Sequence, residues 1–217
     1  MKKLLHFLFF LLLIITYGCG IGKDFTVNPS NDLRIGSTNT SDIENQFGKP
    51  QDLKTIEENN LSSIIYTYFY VKKPGYFNFT TMKNLRLEII NNSLNGYIYQ
   101  NSIETENTDF TDSLREKIII GESNSEDILN LFGKPTGLIS IPTNLINYSL
   151  GINSIKMLPE AKKAWVYSLG YFDDVYNAPK PFYKYLIFFL DNNQLVVDKY
   201  YLSNIVKPFY RPKVSEN

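Results

Sequence analysis

The 217-residue chain carries 22 Lys and Arg against 22 Asp and Glu, a balance that makes no electrostatic case for a nucleic-acid partner. His6 is the only histidine and Cys19 the only cysteine, so beyond Cys19 the chain has no Ser-His-Asp or Cys-His catalysis and no His- or Cys-ligated zinc. No disulfide can form within it either, and its core must hold by packing.

Lys2 and Lys3 precede an apolar run from Leu4 to Ile15, interrupted by His6 and closing on Thr16-Tyr17-Gly18-Cys19. That run is short for a membrane span and reads as the h-region of a signal peptide over residues 1–18. The Gly18-Cys19 pair behind it resembles the lipobox of bacterial lipoproteins, although Thr16 and Tyr17 stand where that pattern takes an aliphatic and a small residue. The resemblance implies a palmitate-bearing Cys19 as the mature N-terminus, with a secreted chain carrying a free cysteine as the alternative. Cleavage would remove His6, Lys2 and Lys3 and leave 20 cationic against 22 anionic residues, a net charge of −2. The remainder, Cys19 to Asn217, is long enough for one large or two small domains. Residues 19–32 are polar and Gly/Pro-punctuated and read as a lipidated tether.

Two stretches then match at a spacing of 85: RIGSTNTSDIENQFGKP from Arg34 to Pro50, and IIGESNSEDILNLFGKP from Ile119 to Pro135. Such a match is an internal repeat. Each predicts a short helix. Asn39 and Asn124 are the expected N-caps, with Asp42 and Asp127 three residues on; Thr40 and Ser125 are the alternative caps. Ile43 with Phe47, and Ile128 with Phe132, lie four apart on one apolar face. Gly48 and Gly133 suit a left-handed C′ position, and Pro50 and Pro135 forbid continuation. Helices this short need a partner surface, which the following strands should supply.

Behind Pro50 the chain is polar, and then Ser62 to Val71 alternates Ile65, Thr67 and Phe69 against Ile64, Tyr66, Tyr68 and Tyr70. Lys72-Lys73-Pro74-Gly75 marks a turn. Asn84 to Ile90 alternates with Leu85, Leu87 and Ile89 inward and Arg86 and Glu88 outward, and Leu94 to Tyr99 returns after Asn91-Asn92. In the second half, strands are expected near 164–172, 182–190 and 194–201. Tyr66 is matched to Tyr167 and Leu94 to Leu195 at a spacing of 101, which leaves about 16 residues added (101 less 85) between Pro135 and Trp165. The same spacing sets Ile187 against Arg86 and Phe189 against Glu88. A charged outer face in the first half thus becomes apolar in the second. The apolar insertion, about 137–163, either covers that face or leaves it free for a partner; the cover is preferred.

The helical signature with its closing Gly-Lys-Pro resembles the SmpA/OmlA (BamE-like) outer-membrane lipoproteins, and IIYTYFYVKKPGYFNFTTMKNLRLEIINNSLNGYIY is similar to their aromatic strand, loop and final hairpin. Two units in tandem also resemble the β-lactamase inhibitory protein architecture. The organisation this implies is α+β, two tandem repeats, each a short helix packed on a three- to four-stranded antiparallel meander. Repeat one covers 33–100, a linker 101–116, repeat two 117–205 and a tail 206–217. The resemblance implies a lipid-anchored envelope or outer-membrane protein, held by its lipid at the periplasmic face or the surface, that binds an envelope protein as an accessory of barrel assembly; an inhibitor-type or ligand-binding lipoprotein using a concave sheet is the alternative.

No enzyme and no cofactor is expected. Asp173-Asp174 is the one adjacent acidic pair with the look of a metal or acid/base site, and solvated turn residues explain it more simply. Lys49 and Lys134 suit helix C-termini. The candidate binding residues are Tyr66, Tyr68, Tyr70, Trp165, Tyr167, Tyr185, Ile187 and Phe189, with cross-strand aromatic packing as the rival explanation for the tyrosines.

Overall fold

The computed structural model describes residues 20–27, 32–58, 60–72, 81–102, 110, 112–151, 155, 157–173 and 180–204. In chain order these form β1 (Gly20–Ile21), α1 (Thr40–Phe47), β2 (Asp52–Glu58), β3 (Leu61–Lys72), β4 (Thr81–Ile90), β5 (Ser93–Asn101), a 3-10 turn (Asp112–Lys117), α2 (Ser125–Phe132), β6 (Gly137–Ser140), α3 (Leu145–Leu150), β7 (Lys163–Asp173), β8 (Lys180–Leu190) and β9 (Val196–Ser203). The fold is α+β. All nine strands join one sheet in the order β1-β3-β4-β5-β6-β7-β8-β9, every pairing antiparallel. β2 pairs with β3 as well, along Leu61–Thr67, while β1 takes Val71 and Lys72 of the same strand.

Both signature helices start and stop as their sequences dictate. The Asn39 side chain accepts from the Asp42 N–H at 3.0 Å and the Asp42 carboxylate accepts from the Asn39 N–H at 3.1 Å. Asn124 and Asp127 form the same reciprocal box. Gly48 and Gly133 take the positive φ that favours glycine, 81° and 70°, but with ψ of −166° and −156° rather than the left-handed helical value. The backbone therefore leaves each helix extended, heading straight for its proline, instead of curling back over the last turn.

One face of the sheet carries both helices. Ile43 and Phe47 of α1 bury against Tyr66, Tyr68, Leu85 and Leu87, and Ile128 and Phe132 of α2 against Tyr167, Leu186 and Phe188. The cross-strand row Tyr97, Leu138, Trp165, Phe188 runs between the two helices on that face. Full burial of such a side chain contributes about 1.5 to 3 kcal/mol, which is how two-turn helices are held.

Many contacts occur in like pairs. The Tyr68 hydroxyl donates to the Gly48 carbonyl at 2.9 Å, and the Tyr167 hydroxyl to the Gly133 carbonyl at 2.8 Å. Gly36 N–H donates to Leu94 O and Gly121 N–H to Val196 O, both at 2.8 Å. The sheet has a register shift at Glu88/Ile89 and another at Phe189/Leu190. These like contacts recur at spacings other than the expected 101: Tyr68 and Tyr167 are 99 apart, and Leu94 and Val196 are 102 apart. Leu85 and Leu186, which face Tyr68 and Tyr167 across their hairpins, keep the expected 101.

The polar stretch behind Pro50 is itself a strand, β2, almost wholly exposed. β6 sits where β2 does: Asp52 pairs with Thr67 and Gly137 with Val166. Within the expected insertion, 137–163, the chain forms β6 and α3 before β7, whereas β2 and β3 are joined by residues 59 and 60. Phe25 and Val27 pack into the first helix core, and Phe110, within the expected linker, packs into the second.

Candidate functional site

The second face of the sheet sets the site. Here the cross-strand row is Ile65, Glu88, Gly96, Ile139, Ala164, Phe189. α3 and the chain that follows it lie over this row, and Leu145, Ile146, Leu150 and Ala161 bury against Ile65, Ile98, Val166, Tyr185, Ile187 and Phe189. The insertion is the cover expected for Ile187 and Phe189, and it spans strands from both halves.

Glu88 anchors the cover. Its placement facing outward is right, but outward is not solvent: the residue is fully buried. A buried carboxylate needs donors for its lone pairs, and three are present. The Asn144 N–H donates to Oε1 at 2.7 Å, the Asn95 amide to Oε2 at 2.9 Å, and the Thr143 hydroxyl to Oε2 in a short contact. Thr143 in turn accepts from the Leu145 N–H at 3.0 Å, and Asn144 donates to the Ser63 hydroxyl at 3.0 Å. The start of α3 is thus tied to β3, β4 and β5 together.

The far half of α3 is held differently. The Arg86 guanidinium reaches the Ser149 carbonyl at 3.5 Å and also lies beside Tyr185. Burial raises the Tyr185 pKa; the Arg86 charge and hydrogen bonds from Arg86 and Gln100 pull it back down. Among the described residues four buried oxygens, Thr67 Oγ1, Asn84 Oδ1, Asn147 Oδ1 and Ser149 Oγ, have no hydrogen-bond partner; Thr67 and Asn84 belong to the sheet and Asn147 and Ser149 to α3.

The candidate binding residues are core residues. Tyr66, Tyr68, Tyr167, Tyr185, Ile187 and Phe189 are all buried, Trp165 is half-buried in the α2 core, and Tyr70 is half-buried with the Lys83 ammonium 6.0 Å from its ring. The two faces of the sheet separate them: the helix-side face holds Tyr66 and Tyr68 in one cluster and Trp165 and Tyr167 in another, and the covered face holds Tyr185, Ile187 and Phe189. Lys49 and Lys134 are exposed, each just past its helix. Cys19, Asp174 and the side chain of Asp173 lie outside the described residues. Among the described residues no group of three or more His, Cys, Asp or Glu is placed to hold a metal ion, and no helix is long and apolar enough to cross a membrane.

Two lysines escaped the sequence reading. Lys83 is buried and its ammonium donates to the Phe25 carbonyl and the Asp24 carboxylate, both at 2.8 Å; Lys184 donates to the Phe110 carbonyl and sits 4.1 Å from that ring. Phe25 then meets Phe47, and Phe110 meets Phe132, edge to face at 6.3 Å in both cases. The signal was present, because Phe25 and Phe110 are 85 apart and Lys83 and Lys184 are 101 apart.

The fold so described is a single-sheet α+β protein with helices on one face and a latched cover on the other. No family model matches the chain, and no curated protein matches it. Among solved structures, it is similar to a Streptococcus mutans protein described as a "putative beta-lactamase inhibitor protein", at 14% identity over 79% of this chain and 91% of that one, with a TM-score of 0.41.

Proposed function

We propose that the chain is a lipid-anchored protein-binding module of the cell envelope, made of two copies of one helix-on-meander unit. The paired contacts support the two copies: the tyrosine bond to each helix end, the lysine clasp on each phenylalanine, and the like register shifts. The lipid anchor is read from Lys2, Lys3, the apolar run and Cys19, and the first strand begins at the very next residue.

The observation that carries the binding role is β2. It pairs on one side only among the described residues, it is exposed along nearly its whole length, and its Leu53 is 54% exposed. A strand left open in this way accepts an extended segment of another protein by main-chain hydrogen bonds. The partner in this reading is an envelope protein, with barrel assembly as the setting. An inhibitor-type module working through a sheet face would first have to displace the cover.

The test is a pull-down from detergent-solubilised envelopes, using the intact lipoprotein beside a Leu53→Asp variant. Recovery of barrel-assembly components with the parent chain and their loss with the variant supports the proposal. Recovery of a soluble envelope enzyme favours the inhibitor reading instead, and equal recovery with both chains removes β2 from the account. A palmitate analogue that labels the parent and the Cys19→Ala chain equally removes the lipid.

A further inference from the structure

We infer that the lipid is seated on the fold rather than tethered to it, so that the protein stands directly on the bilayer on the end of the sheet where β1, the end of β3 and the start of β4 meet. This rests on the reading of Cys19 as an acylated N-terminus.

Position 19 is one peptide from Gly20, about 3.8 Å between Cα atoms, and from Gly20 to Val27 the chain is held to the fold. Gly20 pairs with Lys72 and Ile21 with Val71. Gly22 follows with φ +84°, and a Cβ there would lie 2.1 Å from the Phe69 carbonyl oxygen. Only glycine lets the segment lie this close to β3. Next, Asp24 and the Phe25 carbonyl are both held by the buried Lys83 ammonium. The Phe25 ring meets Phe47 at 6.3 Å and Tyr68 at 6.5 Å, and Val27 is buried in the same core. Five successive devices thus remove the slack from a stretch whose composition suggests a flexible leash.

The same end of the sheet is suited to a lipid surface. Ile21 is the most exposed large hydrophobic residue among those described, at 62%, and Lys23 and Lys72 beside it are exposed. An apolar side chain flanked by lysines fits the boundary between acyl chains and anionic headgroups. The opposite end of the sheet is far away. Leu61 and Lys72 bound β3, eleven steps of roughly 3.3 Å, or about 36 Å, and Glu58 pairs with Leu61.

The test uses the full lipidated chain in phosphatidylethanolamine/phosphatidylglycerol vesicles containing brominated lipid, with a fluorophore on Lys72→Cys or on Glu58→Cys. A seated lipid predicts quenching several-fold stronger at 72 than at 58. Two further chains release the seat: Gly22→Val, and a Gly-Ser linker of about 20 residues placed between Cys19 and Gly20, which as a coil reaches roughly 25 Å. Both should bring the two positions toward equal quenching, and the linker chain does so without touching the fold. Equal quenching at 72 and 58 in the parent chain, with its acyl mass present, overturns the seat but leaves the lipoprotein reading intact. A mature chain without the acyl mass overturns both.

Discussion

At the scale of single residues, the buried polar groups carry the most testable energy. Glu88 accepts from Asn95, Thr143 and the Asn144 N–H, and replacing it by Leu takes the acceptor from the Thr143 hydroxyl and the Asn144 N–H, while the Asn95 amide keeps the Ser140 and Pro142 carbonyls. A buried donor left unpaired costs about 1 to 3 kcal/mol, so Glu88→Leu, which strands two, should lose about 2 to 6 kcal/mol in urea unfolding. A loss below 1 kcal/mol would mean that the cover is not latched there. Tyr97 provides a pH handle. Burial pushes its hydroxyl from the ordinary value of 10 up to about 12. Above pH 10 the unfolded chain releases a proton that the folded chain keeps, so this contribution is whole below pH 10 and drains away by about pH 12, on the order of 2 kcal/mol. Tyr97→Phe should flatten the fall in stability over that window. It will not abolish the fall, because burial raises Tyr68 and Tyr167 as well.

At the scale of elements, the two signature helices should behave alike. Phe47→Ala and Phe132→Ala each empty a packed site between helix and sheet, and each should cost about 3 to 5 kcal/mol in denaturant melts. A large gap between the two values would show that the matched contacts are not matched in energy. The cover makes a second element-level prediction. Ile187→Arg with Phe189→Glu places two charges beneath α3, and the double variant should lose several kcal/mol of stability; a variant melting like the parent would mean that the cover lifts at little cost. The helices were legible in the sequence because their start and stop signals are local: a capping residue, an acid three on, two apolar residues four apart, then Gly and Pro. The longer strands were legible by alternation. β2 was not, since in DLKTIEE only Ile56 is even partly buried and one residue makes no alternation. Nor was the burial of Glu88, because its partners Thr143 and Asn144 lie more than fifty residues away. The binding candidates were chosen for size and aromaticity, and those same properties place a side chain in the core.

Across the whole molecule, the sheet is one cooperative body. The covered-face core mixes Ile65 and Ile98 from the first half with Ile187 and Phe189 from the second, and β6 stitches β5 to β7. Calorimetry should therefore find a single unfolding transition whose van't Hoff and calorimetric enthalpies agree. Two resolved transitions would mean that the halves are independent and that the cover contributes little between them.

The seam between β5 and β6 joins the two halves of the sheet. It is keyed by two glycines: a Cβ on Gly96 would meet Ile139 at 2.8 Å, and a Cβ on Gly137 would meet the Tyr97 carbonyl at 2.6 Å. On the two-unit reading, β9 offers the edge that β5 offers, and β2 the edge that β6 offers. A β9 from one chain meeting the β2 of another would repeat the seam and open a head-to-tail filament. At the keyed positions, however, β9 has Asp198 and β2 has Asp52, each with the side-chain carbon that the joint cannot admit. On that reading the inner joint is cut for closure by two glycines, and a second copy of this chain cannot repeat it at β9 and β2, which leaves β2 open only to an extended segment of other shape.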